Sequence, residues 1–193
     1  MEVTTAERTL EILRETKAIA DGHFILRSGR HSGRYCQCMR ALERPEYAEE
    51  LGKMIADMFR GERIDVVLTP ALGGILIGHE VARALGVRSV FAERKEDRME
   101  LRRGFALDPG ERVLIVEDVV TTGGAVREVS AIAREAGAEL VGFGFIVDRS
   151  NGEVDLGAPA RALCSVTIES YEPSACPLCA SGESEPVKPG SSG

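Results

Sequence analysis

Four stretches of the chain carry apolar residues at nearly every position and are too short for ordinary helices: 66–69, 89–92, 113–116 and 140–147. A short run that is apolar at consecutive positions suits a strand buried on both faces of a parallel sheet. Between these runs the period changes. Ala48, Leu51, Ile55, Met58 and Phe59 follow Pro45 at helical spacing and stop at Gly61. Residues 74–85 read as an apolar helix containing His79, and 126–136 as a helix closed by Gly137. Strands alternating with helices predict an α/β fold around a central, mostly parallel sheet flanked by helices.

The ends of the chain have other patterns. Thr4 and Glu7 have capping-box spacing, and Leu10, Leu13 and Lys17 extend a helix predicted to end at Asp21-Gly22. Residues 23–26 and 35–38 read as two short strands around the polar turn 28–33, where Arg27 and Arg30 stand beside His31. Residues 94–103 hold five basic and three acidic side chains without clean alternation, so a charged loop ending at Gly104 is expected, acting as a lid. Phe105-Ala106-Leu107 resumes as a strand, 108–111 is a turn, and 161–167 is the last strand. From Glu172 onward 12 of 22 residues are Pro, Gly or Ser, which reads as an irregular tail. The expected division is therefore a domain over 1–171, with a small N-terminal portion to about residue 40 and a core over about 45–168, followed by the tail 172–193.

The densest chemistry follows the third apolar run. Glu117 and Asp118 are placed where that strand should end; Val119, Val120, Thr121, Thr122, Gly123, Gly124 and Ala125 then lead into a helix. A loop of small and hydroxyl residues opening a helix is an anion cradle, since its amides are free and the helix dipole favours negative charge. Paired acids beside a phosphate would repel it unless they bind something else, such as sugar hydroxyls. A ribose 5-phosphate bearing a pyrophosphate leaving group satisfies both halves. Neither G-x-x-x-x-G-K-[ST] nor G-x-G-x-x-G occurs, which sets aside a P-loop NTPase and a Rossmann dehydrogenase.

This stretch resembles the phosphoribosyl-pyrophosphate (PRPP) signature of the type I phosphoribosyltransferases. Three further places are similar to the orotate-specific members: residues 24–30 to their N-terminal hood, Glu93-Arg94-Lys95-Glu96 and the following basic residues to their mobile loop, and Asp148-Arg149 to the position of their orotate-binding arginine. The resemblance implies transfer of the phosphoribosyl group of PRPP to orotate, giving orotidine 5′-monophosphate and pyrophosphate, in pyrimidine biosynthesis. It implies Lys95 and Asp118 as catalytic residues. PRPP would be bound by Arg94, Lys95, Arg98, Glu117, Asp118 and the 119–125 loop, and orotate by Thr121, Arg149 and Arg27. Mg²⁺ is implied as cofactor, held mainly by PRPP and water with no direct protein ligand, and a homodimer with shared active sites is expected. The chain departs from its relatives in lacking a lysine within Ala71-Leu72-Gly73-Gly74, and in having Glu100 where many carry a histidine. The rival readings are a phosphoribosyltransferase for a purine or uracil, and a PRPP-sensing regulator without turnover.

Composition narrows the partners. The 193 residues are 44% hydrophobic and 28% charged, ordinary for a globular protein, with 24 basic and 31 acidic side chains and a net charge of -7. An acidic chain is a poor default partner for nucleic acid. No apolar run approaches a membrane span and no signal-peptide pattern opens the chain, so a cytoplasmic location is expected. The five cysteines form no disulfide framework. Cys176-Pro-Leu-Cys179 has the spacing of half a zinc site, for which Cys36 and Cys38, or a partner subunit, could supply the remaining ligands; with no second C-x-x-C or His pair in the sequence, unligated thiols are the expected reading.

Overall fold

A computed structural model describes residues 3–26, 28–182 and 184–189. The core is a six-stranded sheet in the order β5-β4-β3-β6-β7-β8, built from β3 (Val66–Pro70), β4 (Arg88–Lys95), β5 (Arg98–Leu101), β6 (Arg112–Val120), β7 (Glu139–Asp148) and β8 (Ala160–Ser165). All pairings are parallel except β4 with β5. The helices are α1 (Thr5–Glu15), α2 (Met39–Leu42), α3 (Pro45–Met58), α4 (Gly73–Leu85), α5 (Gly124–Glu135) and α6 (Pro177–Ser181). The expected mostly parallel α/β sheet is the observed one.

Strand alternation divides the core in two. Val67, Leu114 and Val116 join Ile12, Leu51, Ile55, Ile77 and Val81, under α1, α3 and α4. Their neighbours Val66, Leu68, Val113 and Ile115 join Val126, Val129, Ala133 and Phe143, under α5. Consecutive strand residues point to opposite faces, and both faces are covered, which is why the runs are apolar throughout. The helices α4 and α5 pack on opposite faces because the chain leaves β3 toward one edge and β6 toward the other. That reversal between adjacent strands makes a crevice at their carboxyl ends.

Beside this core, β1 (Ile19–Ile25) and β2 (His31–Cys36) form an antiparallel hairpin. The tail lies against it: Val187 bridges Phe24, Tyr171 bridges His31, and Arg30 bonds Ser170 and pairs with Glu172. A 3-10 turn at Pro173–Ala175 and α6 give the tail local structure.

Several expectations need correction. The first helix stops at Glu15, with Thr16 as its cap and Lys17 at φ 55°, so residues 19–22, expected to be helical, belong to β1. The Thr4 capping box does form. Residues 105–107 are not a strand. The charged segment after Glu93 is a β-hairpin, with Lys95 opposite Arg98 and Glu93 opposite Glu100. Poor alternation is no obstacle at an exposed sheet edge, where backbone pairing does not require a buried face. Its cations do not simply repel one another: Arg94 pairs with Glu128, Lys95 and Arg98 with Glu100, and Arg102 and Arg103 with Glu93.

Candidate active site

The strand carrying the two acids is longer than its apolar run. The ladder between β3 and β6 ends at Leu68 and Ile115, but the ladder between β6 and β7 continues to Val120 and Asp148. Glu117 and Asp118 therefore lie within β6, not beyond it. They are held by β7 on one side and open toward the β3–β6 crevice on the other. The loop after β3 closes on this point, since a Cβ on Gly73 would stand 2.8 Å from Asp118 Oδ1. A side chain there would displace the carboxylate, so the lysine-free Ala71–Gly74 loop brings backbone, not charge, against the acid pair.

Burial dominates the electrostatics of these acids. Removal from water, with a smaller contribution from the neighbouring Asp118 carboxylate, pushes Glu117 up to about 8. Burial also raises Asp118, against hydrogen bonds from backbone amides that include Val119 N–H to Oδ1 at 2.9 Å. A half-buried acid pair with no ion-pair partner among the described residues is arranged to accept hydrogen bonds from something brought to it.

Beyond Val120 the backbone turns through Thr121 and Thr122, both exposed, to Gly123 at φ 76°. A Cβ on Gly123 would meet Val154 at 2.8 Å, and its positive φ is easily adopted only by glycine. The first α5 hydrogen bond runs from Arg127 N–H to Gly123 O, so the preceding helical amides, 124–126, have no acceptor within the helix. They face the crevice end of the sheet with the positive end of the α5 dipole behind them. Sequence reasoning overlooked Arg127, which donates to Thr122 O at 2.6 Å and to Asp155 O at 2.8 Å. It staples the loop to the segment after β7; two residues beyond the loop, it resembles any exposed helical arginine in the sequence.

Arg149 follows β7 directly, and its backbone N–H donates to Val120 O at 2.9 Å. Its side-chain Nε is buried and has no acceptor among the described residues. A buried guanidinium N–H left unpaired is costly, and a planar anionic ligand is the partner its fork fits. Cys36, at the end of β2, stands near enough to feel both Arg149 and Asp118. Its thiol is lowered, first by a hydrogen bond with Cys38 and further by Arg149, while Cys38 is pushed well up. The hairpin thus reaches the acid–arginine cluster, a placement with no signal in the sequence.

The structure brings together Glu117, Asp118, the 119–125 loop and Arg149. Lys95 and Arg98 instead pair with Glu100, and Arg94 with Glu128 on α5. Arg27 lies outside the described residues.

Residues 40–173 match the phosphoribosyl transferase domain family. The chain is 52% identical over 187 residues to the orotate phosphoribosyltransferase of Pelotomaculum thermopropionicum, covering 97% of this chain and 98% of that one. It is 50% identical over 185 residues to the orotate phosphoribosyltransferase of Caldanaerobacter subterraneus subsp. tengcongensis, covering 96% and 97%. Among solved structures, the orotate phosphoribosyltransferase of Aeropyrum pernix superposes with a TM-score of 0.68 at 23% identity, covering 81% of this chain and 92% of that one, a likeness of fold.

Proposed function

The chain belongs to the phosphoribosyltransferase family, as one of its orotate-specific members, and on that premise we propose how its residues divide the work. The reaction transfers the phosphoribosyl group of PRPP to orotate, giving orotidine 5′-monophosphate and pyrophosphate in pyrimidine biosynthesis. Glu117 and Asp118 accept hydrogen bonds from the two ribose hydroxyls. The amides of the 119–125 loop hold the 5-phosphate, and Thr121 and Arg149 hold orotate, with Arg27 as a further contact. The observation that carries this assignment is the juxtaposition of a half-buried acid pair with open helix-terminal amides and a buried Arg149 Nε, neither the acids nor the Nε having a charged partner among the described residues.

Transfer breaks the bond between ribose C1 and the pyrophosphate oxygen and forms one from C1 to the orotate nitrogen. Positive charge builds on the sugar and negative charge on the leaving group. Positioning and electrostatics dominate such a step. Asp118, beside the ribose, stabilises the sugar cation through the hydroxyls it binds. Lys95, with Arg94 and Arg98, neutralises pyrophosphate. That requires the hairpin to exchange its pairs with Glu100 and Glu128 for phosphate oxygens. A homodimer in which each hairpin serves the partner's site is the arrangement that the family resemblance implies for these cations.

The crevice also fits Mg²⁺ carried on PRPP. Its donors are hard carboxylate oxygens, and they build no closed cage of the kind a resident ion would need. Glu117 and Asp118 would hold the ion through water and the ribose oxygens, and its charge would offset that of pyrophosphate. We read residues 1–171 as the transferase domain and 172–193 as an appended tail. No helix among the described residues is long and apolar enough to cross a membrane. Orotate consumption with PRPP and Mg²⁺, run beside uracil and hypoxanthine, tests the proposal. Turnover should require orotate, and equal turnover of uracil would remove Arg149 from its role.

A further inference from the structure

Four side chains that the transferase reaction does not use converge where the tail crosses the hairpin. His23 lies in β1, His31 opens β2, and Cys176 and Cys179 flank the first turn of α6. One ligand atom from each lies within 4.8 Å of the other three. His23 Nε2 is 3.0 Å from His31 Nδ1, 3.6 Å from Cys176 Sγ and 3.5 Å from Cys179 Sγ. Cys179 Sγ is 3.2 Å from His31 Nδ1. Zn–N bonds of about 2.0–2.1 Å and Zn–S bonds of about 2.3 Å, at tetrahedral angles, put N···N edges near about 3.3 Å and N···S edges near about 3.5 Å. The observed separations are close to the edges of that tetrahedron.

The surroundings suit a metal. His23 Nδ1 stands 2.9 Å from the carbonyl oxygen of Ser184. A proton on Nδ1 donated to that carbonyl leaves Nε2 as a lone pair directed into the cluster, which is how histidine ligands are commonly oriented. His23, His31 and Cys176 are buried and Cys179 is exposed, so the site is shielded yet has an entry path. Two thiolates and two neutral imidazoles around Zn²⁺ sum to zero charge, which a largely buried site favours.

We propose that His23, His31, Cys176 and Cys179 form a structural Cys₂His₂ zinc site that latches the C-terminal tail onto the N-terminal hairpin. The ligand set is closed, so its role is to hold structure and not to activate water. It joins β1 to β2 and ties them to a segment some 150 positions away. Neighbouring contacts run the same way: Ile25 N–H donates to Val187 O, Val187 N–H to His23 O, and Tyr171 and His31 exchange backbone bonds. Cys36 and Cys38, considered from sequence as the missing ligands, stand instead near Asp118 and Arg149.

The test is metal content, which is independent of orotate chemistry. Full-length protein purified under reducing conditions, loaded with zinc and desalted, should retain about one zinc per chain. Cys176→Ser with Cys179→Ser should reduce retention to below about a tenth of that, and Cys36→Ser with Cys38→Ser should leave it unchanged. Because the first variant could lose its fold, zinc-edge X-ray absorption on the wild-type protein gives a second reading. Two sulfur neighbours at about 2.3 Å and two nitrogens at about 2.0 Å are expected. Failure of the wild-type protein to retain zinc would overturn the site, leaving a metal-free His–His hydrogen bond between two thiols. Zinc lost on changing Cys36 and Cys38, or an all-oxygen/nitrogen shell, would overturn the ligand assignment.

Discussion

At the scale of single residues, Glu117 shows how burial turns an ordinary acid into a receptive one. Its carboxyl group is raised to about 8, so near neutral pH the folded protein keeps a proton that the unfolded chain has released. The sign follows: its contribution to stability is full below about pH 4.5 and is lost as pH rises toward 8. Glu117→Gln keeps the shape and removes the titration. Urea unfolding at stepped pH should therefore show a shallower loss of stability in the variant across that window, by at most about 1.4 kcal/mol per pH unit. Identical slopes would mean that the carboxylate is already ionised in the free protein. Arg149 makes a complementary case. Replacing it with alanine removes a charge-assisted pair worth about 1.5–3 kcal/mol, so the KM for orotate should rise roughly ten- to a hundredfold while that for PRPP changes far less. Steady-state kinetics with each substrate varied in turn decides this, and an equal rise in both would place Arg149 outside the base pocket.

At the scale of elements, the crevice depends on helices held close to the sheet and to each other. Gly52 on α3 is such a contact: a Cβ there would lie 2.5 Å from Glu80 Cβ and 2.9 Å from the Glu80 carbonyl carbon on α4. Backbone atoms cannot move aside as a flexible side-chain tip can. Gly52→Ala should therefore separate the helices and cost about 1–3 kcal/mol, read as a fall in thermal midpoint of roughly 2–4 °C per kcal/mol. An unchanged midpoint would show that α3 and α4 pack less tightly than these distances require. The hairpin β4–β5 gives a different lesson. Its charges gave the sequence reading a loop, but backbone pairing at the sheet edge, a cross-strand ion pair and the burial of Ala92 and Met99 on the α5 side make it a pair of strands. Exposed ion pairs are individually weak, so exchanging them for phosphate contacts costs little. That suits the proposed transfer of these cations to pyrophosphate.

At the scale of the whole molecule, the proposal that hairpins serve partner sites has a direct consequence. Lys95→Ala should lower kcat more than it weakens PRPP binding, because leaving-group charge is greatest in the transition state. Asp118→Asn should lose turnover through the ribose side. If sites are shared, mixing the two inactive proteins should restore activity in the hybrid dimer that assembles one site with both groups intact. Native mass spectrometry must first establish subunit exchange. Hybrids that form without recovering activity would assign each hairpin to its own subunit.

Much of this was legible in the sequence because the signals are local. Apolar runs specify strands through contacts made at consecutive positions, and the acids, loop and helix start of residues 117–125 are contiguous, so their chemistry could be read without a fold. Arg149 was found through the resemblance to the orotate-specific family, which places its orotate-binding arginine there. What only the tertiary structure decided involves residues that are distant in the chain. The length of β6 past its apolar run came from its ladder with β7. The approach of Gly73 to Asp118 came from the reversal between β3 and β6, and the arrival of Cys36 beside Arg149 from the placement of the hairpin. The two histidines, separated by a turn and by about 150 residues from the cysteines, show no ligand spacing along the sequence. Folding alone sets their atoms within bonding distance of one ion, because periodicity records which face a residue takes and not which distant segment will cover it.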